Sequence, residues 1–263
     1  MVENNVRISQ RDLNLLFDIY ENVFLAFYQI HERHFRHRAK PTVYNRLSKL
    51  MRGGFLQPLR VNLNAYHHGG FDIGVIYQIT PKALGVIRNY TICDTFDKGI
   101  LQLNRANLYH DLVLTDVILK LKNHFPTCKI KNAKLQKFDP KDASRLPDAI
   151  LNCPHSNSKV AIELELTAKS ENRYQEIIHQ YRVHSDFSHV LYVVGKENLF
   201  LKMGGLITGF KNRFKATDET GKFYFIGLKE ILKCSQPKFL SGMGGLRNVL
   251  PQKVNFKMEE NLL

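Results

Sequence analysis

Glu163 and Glu165, with a single residue between them and Asp148 a short way upstream, are the side chains of this sequence best suited to chemistry. They lie in or near the stretch Lys159-Val-Ala-Ile-Glu163-Leu-Glu165-Leu-Thr-Ala-Lys169. There, apolar Val160, Ile162, Leu164, Leu166 and Ala168 alternate with Ala161, Glu163, Glu165, Thr167 and Lys169. A period of two describes a strand with one buried and one solvated face, so the carboxylates are expected to point outward. Carboxylates gathered on neighbouring strands repel one another unless a cation lies between them, and hard ions such as Mg²⁺ or Mn²⁺ prefer oxygen ligands. Asp148, Glu163 and Glu165 therefore form a candidate metal site for phosphodiester hydrolysis, with Glu165 or Lys169 orienting the water. The plainer reading makes Glu163 and Glu165 simply the wet side of a sheet.

Such residues need a folded domain to hold them, and composition says what kind of chain this is. With 263 residues, 44% hydrophobic and 24% charged, it has length for one large domain or two of ordinary size. Lys and Arg number 38 against 24 Asp and Glu, giving a formal net charge of +14 and a pI near 9.6. That balance favours a polyanionic partner, nucleic acid first. Cys93, Cys128, Cys153 and Cys234 show neither Cys-x-x-Cys nor regular Cys/His spacing, which argues against a zinc cage or a disulfide framework and for free thiols. No apolar run reaches the roughly 20 residues of a membrane span, and no apolar signal core opens the chain. A cytoplasmic protein with no membrane partner is expected. A Walker-type loop, a Gly-x-Ser-x-Gly elbow and a His-Glu-x-x-His pair are all missing from the sequence.

Ser9 caps an expected helix from Gln10 whose apolar positions Leu13, Leu16, Phe17 and Tyr20 recur at helical spacing. A second helix is expected over Phe24 to Phe35. A third starts at Pro41, turning Val43, Leu47, Leu50 and Met51 inward and Tyr44, Asn45, Arg46, Lys49 and Arg52 outward, and ends at Gly53-Gly54. Strands at Phe55 to Arg60 and Gly74 to Thr80 follow, around a polar loop, and then a helix from Lys82 to Asn89. Three helices and a two-stranded wing make the winged helix-turn-helix plan. Residues 31 to 60 carry eight Lys or Arg against Glu32 alone, a local net of +7, half the formal charge of the chain. His31, His34 and His37 in the same stretch read as solvated or phosphate-contacting rather than as metal ligands.

Residues 91–105 have weak periodicity and read as a linker between a domain at 1–90 and another at 106–235, with an irregular tail at 236–263. The second domain opens with an amphipathic helix, Ala106 to Phe125. Strands follow around Cys128 to Phe138, at Asp148 to Asn152 and at Lys159 to Thr167, then a helix from Glu171 to His184 and a strand from His189 to Val194. On that helix Tyr174 and Tyr181, seven apart, are expected to pack on the sheet. A helix near Asn198 to Lys215, a strand at Phe223 to Ile226 and a short helix ending near Lys233 complete it.

The order αβββαβ, with Pro147-Asp148 opening one strand and Glu163-x-Glu165 on the next, resembles the PD-(D/E)xK nuclease-like fold. The resemblance implies metal binding by Asp148 and Glu163. It also implies a water-activating lysine two residues beyond, where this sequence has Glu165. A few restriction enzymes of that superfamily work with Glu there, and an inactive, structure-only version fits equally. Over most of residues 9 to 195 the chain is similar to the replication-relaxation family of plasmid and mobile-element proteins, an N-terminal winged helix joined to such a domain. Its pattern is echoed by Tyr44-Asn-Arg-Leu-Ser-Lys-Leu-Met-Arg-Gly-Gly-Phe-Leu, by Tyr77-Gln-Ile-Thr-Pro-Lys-Ala-Leu-Gly, by His110-Asp111-Leu-Val-Leu-Thr-Asp-Val and by Pro147-Asp148-Ala. The implied fold is α/β (α+β overall), and the implied role lies in plasmid replication, DNA relaxation or mobilisation.

Two functions are expected from these readings. In the first the protein binds double-stranded DNA, with Arg33, Arg36, Arg38 and Lys40 on phosphates, Tyr44, Asn45, Arg46 and Lys49 near base edges, and Arg52 at the end of the same helix. In the second it is a Mg²⁺-dependent endonuclease acting through Asp148, Glu163, Glu165 and Lys169. A transcriptional regulator is a further alternative. A relaxase or replication protein is a candidate partner, as is a second copy in a homodimer.

Overall fold

In the computed structural model, residues 6–60, 75–90, 103–135, 146–154, 158–183, 186–196, 199 and 222–233 are described. The wing loop, the C-terminal tail, most of the 91–105 linker and all but Leu199 of the helix expected near Asn198 to Lys215 lie outside them. The chain is mixed α/β with two sheets and divides into two compact units. One comprises Met1–Asp116 with Lys131–Asp139, the other Val117–Ile130 with Pro140–Leu263.

The first unit opens with α1 (Gln10–Glu21), whose first turn is closed by a capping box. The Asp12 N–H donates to Ser9 Oγ at 3.4 Å and the Ser9 N–H donates back to Asp12 Oδ2 at 2.8 Å, satisfying two of the amides that a helix start leaves open. The expected second helix begins late. Val23 takes a left-handed backbone (φ 71°), uncommon for a β-branched residue, and Leu25–Ala26 form a short strand, β1, before α2 (Phe27–His34). Gln29 Oε1 caps α2 by accepting from the Ala26 N–H at 2.8 Å. Next come α3 (Lys40–Arg52), β2 (Leu56–Arg60), β3 (Val75–Ile79) and α4 (Pro81–Tyr90). Gly54, at φ 74°, turns the chain out of α3 where a side chain would be strained. The sheet has the order β1-β3-β2, antiparallel throughout, so the two-stranded wing expected from sequence gains a third strand. Two residues of strand leave no alternating pattern to read.

α5 (Leu108–His124) runs through the boundary between the units. It is not the amphipathic helix expected: Asp111 through Thr115 are consecutively buried, as are Val117, Ile118 and Leu121. A helix enclosed on most sides needs apolar residues all round and loses its polar stripe.

The second sheet has the order β4-β5-β6-β7-β8. Its strands are β4 (Lys129–Asn132), β5 (Ala149–Cys153), β6 (Ser158–Glu165), β7 (His189–Val194) and β8 (Phe223–Gly227), with α6 (Glu171–Val183) between β6 and β7 and a short helix, Leu228–Lys233, after β8. β5 is antiparallel to β6, whereas β6, β7 and β8 run parallel, with α6 as the crossover from β6 to β7. Residues of both parities on β6 are buried, Val160, Ile162 and Leu164 on one face and Ala161, Glu163 and Glu165 on the other. The half-solvated strand expected from the alternation is therefore a central strand covered on both sides.

Candidate functional site

In the first unit, Val43, Leu47 and Leu50 are fully buried and anchor α3 by one face. At 100° per residue, Asn45, Lys49 and Arg52 fall within about 60° of one another on the opposite face. All three are exposed, as are Arg36, Arg38 and Lys40 in the approach to the helix. Among the described residues no carboxylate pairs with Arg36, Arg38, Lys40, Lys49 or Arg52. Tyr44, 48% exposed, lies flat on Phe27 of α2, ring centroids 4.0 Å apart and planes 7° apart.

Two of the arginines expected on DNA are committed elsewhere. Arg46 Nε donates to Asp12 Oδ1 at 2.8 Å, its Nη2 pairs with Asp12 Oδ2, and Nη2 also reaches the Arg7 carbonyl at 2.9 Å. The Asp12 side chain is completely buried. Burial raises its pKa, but hydrogen bonds from Arg46 and Ser9 outweigh that and hold it below the usual carboxylate value. Arg46 thus fastens α3 to the start of α1. Arg33 pairs with Asp18 of α1, its Nη2 at 3.3 Å from Oδ1, and His34 Nε2 lies 2.9 Å from Asp18 Oδ2. Burial raises the pKa of Asp18, and His34 and Arg33 overcome it to bring it down to about 2. His31 Nε2 meets the Arg38 carbonyl at 2.8 Å, so His31 and His34 have separate surroundings.

In the second unit, the β5–β6 register pairs Ala149 with Ile162, which sets Asp148 beside Glu163 just beyond the paired ends. The Asp148 N–H donates to the Ile162 carbonyl at 3.1 Å, and Asp148 Oδ2 accepts the Leu164 N–H at 2.8 Å. Glu163, 4% exposed, accepts from the Tyr181 hydroxyl of α6. Glu165, 3% exposed, is paired with Lys169, which reaches back from the turn after β6. The Tyr174 hydroxyl accepts the Lys169 N–H at 3.1 Å. Burial raises the Tyr174 pKa and that N–H opposes it, with the neighbouring Glu165 adding to the rise. Tyr174 and Tyr181, both 1% exposed, pack on the sheet as their spacing predicts.

Asp148 and Glu163 carry oxygen donors of the type a hard divalent cation takes. The Glu165 carboxylate is engaged by Lys169. Of the three carboxylates, Asp148 and Glu163 are thus cross-strand neighbours by register, and Glu165 is paired with Lys169. Asp111 and Asp116 on α5 serve packing within the first unit. Lys134 Nζ contacts the two Asp111 oxygens at 2.6 and 2.7 Å, while Asp116 accepts Tyr28 Oη and Gln29 Nε2, both at 2.7 Å. Sequence reasoning missed the Asp12–Arg46 lock. Ser9-x-x-Asp12 has capping-box spacing, but nothing in it announces a partner 34 residues away.

Among the described residues no helix is long and apolar enough to cross a membrane. Comparison of the chain with protein-family models, with curated proteins and with solved structures finds no match.

Proposed function

We propose that the protein binds double-stranded DNA through α3, as a winged helix-turn-helix joined to a PD-(D/E)xK-like domain, in the manner of a replication-relaxation protein of plasmids or mobile elements. The observation that carries this is the division of labour among the basic residues around α3. Arg33 and Arg46 are held by buried aspartates, whereas Asn45, Lys49 and Arg52 share an outward face on which, among the described residues, no carboxylate neutralises the two cations. A helix anchored by one face and cationic on the other suits a major groove. Asn there has the geometry to contact adenine, Lys and Arg that to contact guanine or phosphate. Work beside a relaxase or replication protein, as a homodimer on paired half-sites, fits the same surface, and so does transcriptional regulation. The test is anisotropy titration of labelled duplex DNA with the wild type and with Lys49→Glu/Arg52→Glu. Wild-type binding with a loss of at least tenfold in the double variant is expected. No wild-type binding at low salt, or equal binding by both proteins, would overturn the reading.

A second reading, Mg²⁺-dependent DNA cleavage, is favoured by Asp148 standing beside Glu163. Those two would hold the ion, whose contribution when bound is to polarise the scissile phosphate and acidify a water. Lys169 then neutralises Glu165 beside the pair. Plasmid incubated with Mg²⁺ or Mn²⁺ should be nicked by the wild type and spared by Asp148→Ala. Intact plasmid under conditions where the wild type binds it refutes cleavage.

A further inference from the structure

Two of the four cysteines, 25 residues apart in sequence, meet inside the second unit. Cys128 directly precedes β4 and Cys153 ends β5, its neighbour in the sheet. Their Sγ atoms are 2.8 Å apart, and both residues are free thiols in this structure. That separation is well inside ordinary sulfur–sulfur contact, so forming a bond would take little backbone movement. Cys128 is 7% exposed and Cys153 only 2%. We propose that Cys128 and Cys153 are an oxidisable dithiol, a modification site at which a small-molecule disulfide installs a cross-link between β4 and β5.

The chemistry is thiol–disulfide exchange with a disulfide of the glutathione class. Cys128 attacks as the thiolate, forms a mixed disulfide with one half of the oxidant and releases the other half as a thiol. Cys153 then gives up its proton and attacks Cys128 Sγ, expelling the second thiol. The protein loses two electrons and two protons, and the oxidant gains both as two thiols. Burial, and then the Cys128 thiol beside it, push Cys153 up to about 12, so Cys153 is a poor first nucleophile, and the part of that rise owed to the Cys128 thiol is removed once Cys128 carries the mixed disulfide. The bond would close a long loop between two strands already held together, so it should raise thermal stability chiefly by restricting the unfolded chain.

The experiment incubates the folded full-length chain with oxidised glutathione, alkylates the remaining thiols in denaturant and maps the peptides by mass spectrometry. A peptide linking Cys128 to Cys153 is expected. The count of alkylated cysteines should fall from four to two, with a higher melting midpoint that dithiothreitol reverses. Cys153→Ser should stop at the glutathione adduct of Cys128. Full alkylation of all four cysteines, linkage through Cys93 or Cys234, or a wild-type adduct that persists on Cys128 would each overturn the proposal. Because the mapping is done on the wild-type chain, misfolding of a variant does not compromise it.

Discussion

Arg46 and Lys49 are three residues apart on one helix, yet they answer to different forces. Arg46 spends its guanidinium on an aspartate with no access to water, so Arg46→Ala would leave a buried carboxylate without its cation. Such a loss costs about 3 kcal/mol. Chemical denaturation should show that destabilisation, and any effect on DNA affinity should scale with the unfolded fraction. Substitutions at exposed Lys49 should shift stability by no more than about 0.5 kcal/mol. Asp18 gives a pH signature. Its folded pKa of about 2 lies below the ordinary 3.8, so its stabilisation is complete above the ordinary value and lost as pH falls towards 2. That amounts to about 2 kcal/mol. Asp18→Asn should accordingly lower stability at neutral pH and flatten the acid limb of a stability–pH curve. An unchanged limb would show that Arg33 and His34 do not hold the ionised form.

At the scale of elements, the carboxylates of β6 show how a helix redefines a strand. Alternation correctly placed Glu163 and Glu165 on one face and Val160, Ile162 and Leu164 on the other. It could not tell that α6 covers the charged face, because a tyrosine hydroxyl and a lysine ammonium supply the polar partners that burial demands. Tyr181→Phe removes one of those partners while keeping the ring. It should cost about 2 kcal/mol in thermal or urea unfolding, the range for a hydrogen bond to a charged group. Glu163→Gln, which can still accept that hydroxyl, should cost less. Equal stability of Tyr181→Phe and wild type would mean that this hydrogen bond contributes nothing to the docking of α6.

Across the whole molecule, the surplus of basic residues governs association more than folding. If Arg36, Arg38, Lys40, Lys49 and Arg52 each neutralise one phosphate, log affinity for duplex DNA should fall against log salt with a slope of roughly −4.5. Each Lys or Arg replaced by Gln should make that slope shallower by about 1, whereas Asn45→Ala should leave it unchanged and reduce discrimination between sequences. A slope near zero would mean that the net charge of +14 is not what meets the partner.

Local signals in the sequence were enough for most of the described elements and their limits, β1 excepted, and for Val43, Leu47 and Leu50 as the inward face of α3. Ser9, Pro41 and Gly53-Gly54 act on the few residues around them, and a period of 3.6 or 2 repeats within a single element. Three features depended on residues far apart in the chain and emerged only with tertiary structure. Arg46 belongs to Asp12, α5 is apolar on most sides because it is enclosed, and Glu165 is turned to Lys169 rather than to Asp148 and Glu163. Charge and spacing show that a side chain is able to bind an anion or a cation. Which ion it meets is decided by the nearest partner in space, and a buried charge takes that partner first because leaving it unpaired costs more than any contact at the surface returns.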